Sequence, residues 1–162
     1  MGKDQSHIKT KKSLLVNLSL AAMAGAFPAQ ALAQNVTCIE PLVFGEIITC
    51  GAAGTVTVRP DNTSTSSCVT VGGAPQSRGR CFITQSGGIR SIQVTVSSSG
   101  TVNSGGDSMN VNAVNIVTNS GGTSTTFTAP FFDLPIGATL NVGASQPAGT
   151  YSGTLGVTAV FN

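Results

Sequence analysis

The reactive side chains of this sequence are few. Beyond residue 33 they are Cys38, Cys50, Cys68 and Cys81, the carboxylates Glu40, Glu46, Asp61, Asp107 and Asp133, and the arginines Arg59, Arg78, Arg80 and Arg90. The single histidine, His7, and all the lysines lie in the first 33 residues. Ser-His-Asp and Cys-His catalysis, His-ligated metal sites, P-loop phosphate binding and Schiff-base chemistry each need an imidazole or an ammonium group. An all-carboxylate hydrolase site remains conceivable, but the five carboxylates fall mostly near strand ends and loops, where solvated charge accounts for them. The expectation is a protein that is not an enzyme and needs no cofactor or metal.

The four cysteines are separated by 11, 17 and 12 residues, with no short C-x2-C knuckle of the kind zinc sites use. An even number in an exported chain reads as two disulfides. Three pairings are open. Cys38–Cys50 with Cys68–Cys81 is favoured, because each pair brackets a stretch able to fold as a hairpin or bent strand.

Export is read from the first 33 residues. Lys9, Lys11 and Lys12 precede an apolar run from Leu14 to Phe27, and Ala31-Leu32-Ala33 supplies a small-residue cleavage site before Gln34. The run is shorter than the roughly 20 apolar residues that span a bilayer, so no membrane span is expected after cleavage. The expected organisation is a signal peptide over 1–33 and one domain over 34–162. That domain has four arginines against five carboxylates, a net charge of −1, which argues against nucleic acid as a partner.

The elements that must position these residues are strands. Only 9% of the chain is charged and 20 residues are glycine. Val56 and Val58 alternate with Thr and Arg, and Ile92, Val94 and Val96 alternate with Ser, Gln and Thr. Leu140 and Val142 repeat the scheme. Met109, Val111 and Ala113 alternate until the phase slips to Val114 and Ile116, as a β-bulge makes it. Gly pairs and a Pro-Ala-Gly triplet punctuate the pattern. About eight or nine short strands without a helical period predict a single-domain, all-β, antiparallel Ig-like sandwich. The Ser/Thr/Asn/Gly-rich stretches 61–67, 97–107 and 119–126 read as loops. Phe131-Phe132 is the one aromatic pair with a member free to face solvent, and Phe132 is the residue singled out for a sugar-binding reading.

The last segment alternates for a full twelve residues, with Tyr151, Leu155, Val157, Ala159 and Phe161 on one face. Gly149 fourteenth from the end and Phe161 in the penultimate place resemble the C-terminal signature of chaperone–usher pilus subunits. In that family a periplasmic chaperone recognises the last strand by laying its own strand beside it. A second resemblance rests on Pro41-Leu42-Val43-Phe44-Gly45, on Gly54-Thr55-Val56-Thr57-Val58, and on the run Gly143–Thr154. Together they resemble a family of bacterial exported β-sandwich domains of unknown function, similar to Mat/Ecp-type fimbrial major subunits and, more distantly, to spore-coat-U-type pilins.

These resemblances imply a periplasmic, cell-surface or fimbrial protein of a Gram-negative bacterium. They further imply a chaperone and usher as partners and a homo-polymer built by strand exchange. The alternative is a monomeric secreted binding module or adhesin on the same sandwich. One departure is the short arm: only residues 34–40 precede Pro41, and Cys38 lies within them.

Overall fold

The period-two alternation becomes strands wherever one face can be buried. The computed structural model describes residues 33–116 and 122–162, so the expected signal peptide lies outside the described residues except for Ala33. In chain order the strands begin with β1 (Ala33–Glu40), β2 (Glu46–Thr49), β3 (Gly54–Val58), β4 (Ser64–Ser67) and β5 (Val69–Gly72). They continue with β6 (Gly79–Ser86), β7 (Ile92–Val96), β8 (Gly100–Ser104) and β9 (Asp107–Asn115). The series closes with β10 (Ser124–Phe127), β11 (Phe131–Val142), β12 (Ser152–Gly153) and β13 (Val157–Phe161). Every pairing is antiparallel, and no described residue is helical.

The architecture is the expected sandwich. One large sheet runs β1-β6-β11-β9-β8-β12, with β3 and β4 added along the second half of β11; the sheet β10-β7-β13 forms a smaller layer, and β2-β5 a two-stranded flap. The long strand β11 spends Phe131–Ile136 on β6 and Ala138–Val142 on β3. The core between the layers is apolar: Ile83, Leu134 and Leu140 meet Ile92, Val94 and Val96, all essentially inaccessible. No polar or charged residue is buried among the described residues.

The expected bulge in β9 is present. Gly137 and Thr139 of β11 face Asn115 and Asn112, so one residue of β11, Ala138, opposes two of β9, Ala113 and Val114. Ala113 takes up the extra residue at φ +45°, and Val114 and Ile116 resume the buried phase. The three stretches expected as loops each supply most or all of a strand, namely β4, β8 and β10. Their Ser-, Thr-, Asn- and Gly-rich runs lack the apolar alternation that marks a strand, and the main-chain pairing of a neighbour recruits them.

The favoured disulfide pairing is overturned. Cys38 bonds Cys81 and Cys50 bonds Cys68. The cause is register between strands far apart in sequence. β1 pairs with β6 so that Cys38 faces Cys81 directly, and β2 pairs with β5 so that Thr49 faces Val69, leaving Cys50 beside Cys68. Both bonds fit an oxidising compartment and are compatible with an exported protein.

Candidate functional site

The C-terminal segment divides where a single strand was expected. Gly149 forms a two-hydrogen-bond bridge with Ile47, 2.9 and 3.0 Å. Tyr151 folds back on its own loop, donating to the Pro147 carbonyl at 2.8 Å and accepting from Gln146 Nε2 at 3.0 Å. Ser152 and Gly153 pair with β8 in the large sheet, whereas Val157–Phe161 pair with β7 in the small one. The chain crosses between layers over residues 154–156. Glycine makes the crossing feasible, because a Cβ on Gly153 would lie 2.2 Å from the Thr101 carbonyl oxygen. Leu155 packs at the crossing, where a Cβ on Gly100 would come 2.8 Å from its Cδ2. Sequence alternation continued through this corner because both halves bury the same face; only the pairing partner changes.

The final strand β13 is an edge. Ser97 donates to the Gly156 carbonyl and Asn162 donates to the Ser91 carbonyl, each at 2.9 Å. In an antiparallel ladder the bonded residues alternate, so Gly156, Thr158, Val160 and Asn162 point their main chain at β7. The N–H and C=O groups of Val157, Ala159 and Phe161 therefore point to the opposite edge, where no strand among the described residues pairs with them. One group there has a partner: the carboxamide of Gln34, on β1, donates from Nε2 to the Ala159 carbonyl. The Oε1 of the same carboxamide is buried and has no hydrogen-bond partner. The side chains of Val157, Ala159 and Phe161 are half-buried against the core, and Val160 faces solvent.

Beside the start of this edge lies a cleft of about 490 Å³. It is lined by Cys38 and residues 40–46, by residues 150–155 with Val157, and by core residues such as Val111 and Ile136. Its charged lining is Glu40, Glu46 and Arg80. Arg80 is engaged: Nε lies 2.9 Å from Asp133 Oδ1, one terminal nitrogen 2.6 Å from Oδ2, and the other 3.4 Å from Glu40. These hydrogen bonds hold the Asp133 carboxyl below its ordinary range and hold Arg80 further in its charged form. Glu46 has no ion pair among the described residues.

Of the five carboxylates, only Glu40 and Asp133 are brought together, on Arg80. Asp61 caps its own turn, accepting from the Thr63 amide at 2.9 Å and hydroxyl at 2.6 Å, which lowers its pKa. No three His, Cys, Asp or Glu side chains among the described residues converge as metal ligands. The aromatic singled out for sugar stacking faces the wrong way. Phe132 points inward and stacks on Phe127 at 4.4 Å, while Phe131 is 50% exposed and packs beside Phe82 at 5.0 Å. Alternation alone leaves the face of each residue undecided, and the pairing of Leu134 with Cys81 on the buried side fixes it. Sequence reasoning also missed Gln34, a polar residue in a short N-terminal stretch with no motif to mark it.

Residues 35–161 match the family model described as Domain of unknown function (DUF4402). The chain belongs to the DUF4402 family. The match takes in all four cysteines, the cleft and β13, and the three motifs read from the sequence all fall within it. No curated protein and no solved structure matches this DUF4402 chain.

Proposed function

We propose that this DUF4402 domain is an exported, non-enzymatic surface or fimbria-like structural subunit that assembles by β-strand complementation. The observation that carries the reading is the edge of β13 that no described strand pairs, beside an apolar cleft. A strand with open N–H and C=O groups and no charged side chain is a template for another chain. Main-chain hydrogen bonds supply the affinity of such pairing, and the cleft receives alternate side chains. Residues 34–40 are poor donors of a strand, since they are already β1 and Cys38 is bonded to β6. The domain's role is therefore acceptance, with a periplasmic chaperone or a neighbouring subunit as the source of the added strand.

The test is expression with the genomic neighbours and electrophoresis without heating. The expected result is a detergent-resistant ladder that collapses on heating and is lost in Ala159→Pro. That substitution removes a donor on the open edge while leaving the β7 ladder intact, since Ala159 does not bond to β7. A purified domain that stays monomeric with all neighbours present, or a ladder indifferent to Ala159→Pro, overturns the proposal.

A second reading, a saccharide-binding module, is favoured by the exposed ring of Phe131 beside Phe82 and the Arg80–Asp133 pair. Glycan binding lost in Phe131→Ala and kept in a β13 edge variant would support it over the first.

A further inference from the structure

The seam between β1 and β13 is closed by one side chain where a ladder would otherwise run. Gln34 lies on β1 opposite Ala159, and a carboxamide carries the same donor and acceptor as a peptide unit. Its donor meets the Ala159 carbonyl, the same bond an added strand would make. Its acceptor is left buried without a donor, which is an unfavourable state for an amide oxygen. Among the described residues no strand pairs with the N–H and C=O groups of Val157 and Phe161 along the same edge. The seam thus has the hydrogen-bonding requirements of a strand and holds one residue's worth of imitation.

We infer that Gln34 is a latch whose carboxamide stands in for one peptide unit of an absent strand, and that an extended partner segment, apolar at alternate positions and cationic at one end, displaces it. This inference rests on the strand-complementation reading above. The alternation follows from the cleft, whose lining is dominated by Leu42, Phe44, Val102, Ile136, Leu155 and Val157. The cation follows from its charges. Arg80 is occupied by Asp133 and Glu40, so Glu46 is left as a carboxylate without an ion pair at the cleft wall. β13 itself has no charged residue, so selection by charge falls to Glu46.

Displacement exchanges one hydrogen bond for several. The incoming strand takes the Ala159 carbonyl from Gln34 Nε2, bonds to Val157 and Phe161, and leaves the freed carboxamide to meet water or the new main chain. Holding β1 in place during this exchange is the Cys38–Cys81 bond, which fixes the far wall of the seam to β6.

The test uses the oxidised protein and two synthetic peptides alternating valine and threonine, one ending in lysine and one in glutamate. Binding is followed by fluorescence anisotropy. The lysine peptide is expected to bind more tightly than the glutamate peptide, and Glu46→Lys to reverse that order. Gln34→Leu, which keeps the side-chain bulk and removes the competing donor, is expected to tighten binding of both by roughly three- to tenfold, the worth of one hydrogen bond. Gln34→Ala serves as the second variant. Melting curves identify any variant that has lost its fold.

Equal binding of the two peptides, or Gln34 variants that bind no tighter, overturns the inference. So does dimerisation of Gln34→Leu through β13 in preference to peptide uptake. If the Gln34 variants bind like wild type while Ala159→Pro abolishes uptake, the latch fails and the complementation reading stands. If Ala159→Pro binds like wild type, both fail.

Discussion

Cys38 and Cys81 face each other across the β1–β6 pair with their Cα atoms 3.8 Å apart, and 43 residues separate them in sequence. Apart from its main-chain ladder with β6, β1 has little apolar burial to hold it. Only Gln34 and Val36 are half-buried, and its remaining residues are exposed. The bond therefore does for this strand what apolar burial does for β6 or β11.

Removing that bond is expected to cost more than removing the other. By the chain-entropy relation, a loop of this length corresponds to about 4 kcal/mol and the 18-residue Cys50–Cys68 separation to about 3 kcal/mol. Cys38→Ser/Cys81→Ser should also lose hydrogen-exchange protection over residues 33–40, while Cys50→Ser/Cys68→Ser should keep it. Urea unfolding and exchange mass spectrometry measure both effects. Peptide mapping that recovers Cys38–Cys50 would refute the register argument itself.

Acid should loosen the outer face of β1, β6 and β11. Asp133 has its folded pKa lowered, chiefly by hydrogen bonding to Arg80. A lowered carboxyl contributes stability that is fully present above the unfolded value of about 3.9 and is lost as pH falls through the lower folded value. Stability should therefore fall with pH below about 4, and Asp133→Asn should flatten that limb. The side chains are 30% and 36% exposed, so solvent screening keeps the effect small. An unchanged acid limb in Asp133→Asn would show that the pair contributes nothing.

Adjacent phenylalanines should differ sharply. Phe132→Ala removes a ring packed on Phe127 and the core, at an expected cost of roughly 3 kcal/mol. Phe131→Ala removes an exposed ring whose main contact is Phe82, for about 1 kcal/mol or less. Chemical denaturation midpoints of the two variants decide it; equal losses would mean the faces are wrongly assigned.

The bulge carries a residue in the left-handed region without glycine's freedom. Ala113→Gly should raise stability by up to about 1 kcal/mol, the relief of the Cβ clash less glycine's entropy in the unfolded chain. A thermal midpoint lowered by this substitution would place Ala113 in an ordinary strand conformation.

The chain's own order of residues determined the local half of this protein. Alternation at Val56/Val58, Ile92/Val94/Val96 and Leu140/Val142 named buried faces correctly, because a strand's two sides are set by neighbours in sequence. The slip from Ala113 to Val114 marked a bulge for the same reason. Strands β4, β8 and β10 left no such trace, since their runs of Ser, Thr, Asn and Gly carry no apolar alternation to mark a buried face.

Pairing was the tertiary structure's decision. Which cysteine meets which, which of Phe131 and Phe132 faces solvent, where the last segment leaves one sheet for the other, and that Gln34 reaches Ala159 from 125 residues away are all matters of register between distant strands. Period-two alternation fixes what lies above and below a strand. It carries no information about what lies beside it, where main-chain groups identical at every residue make the contact.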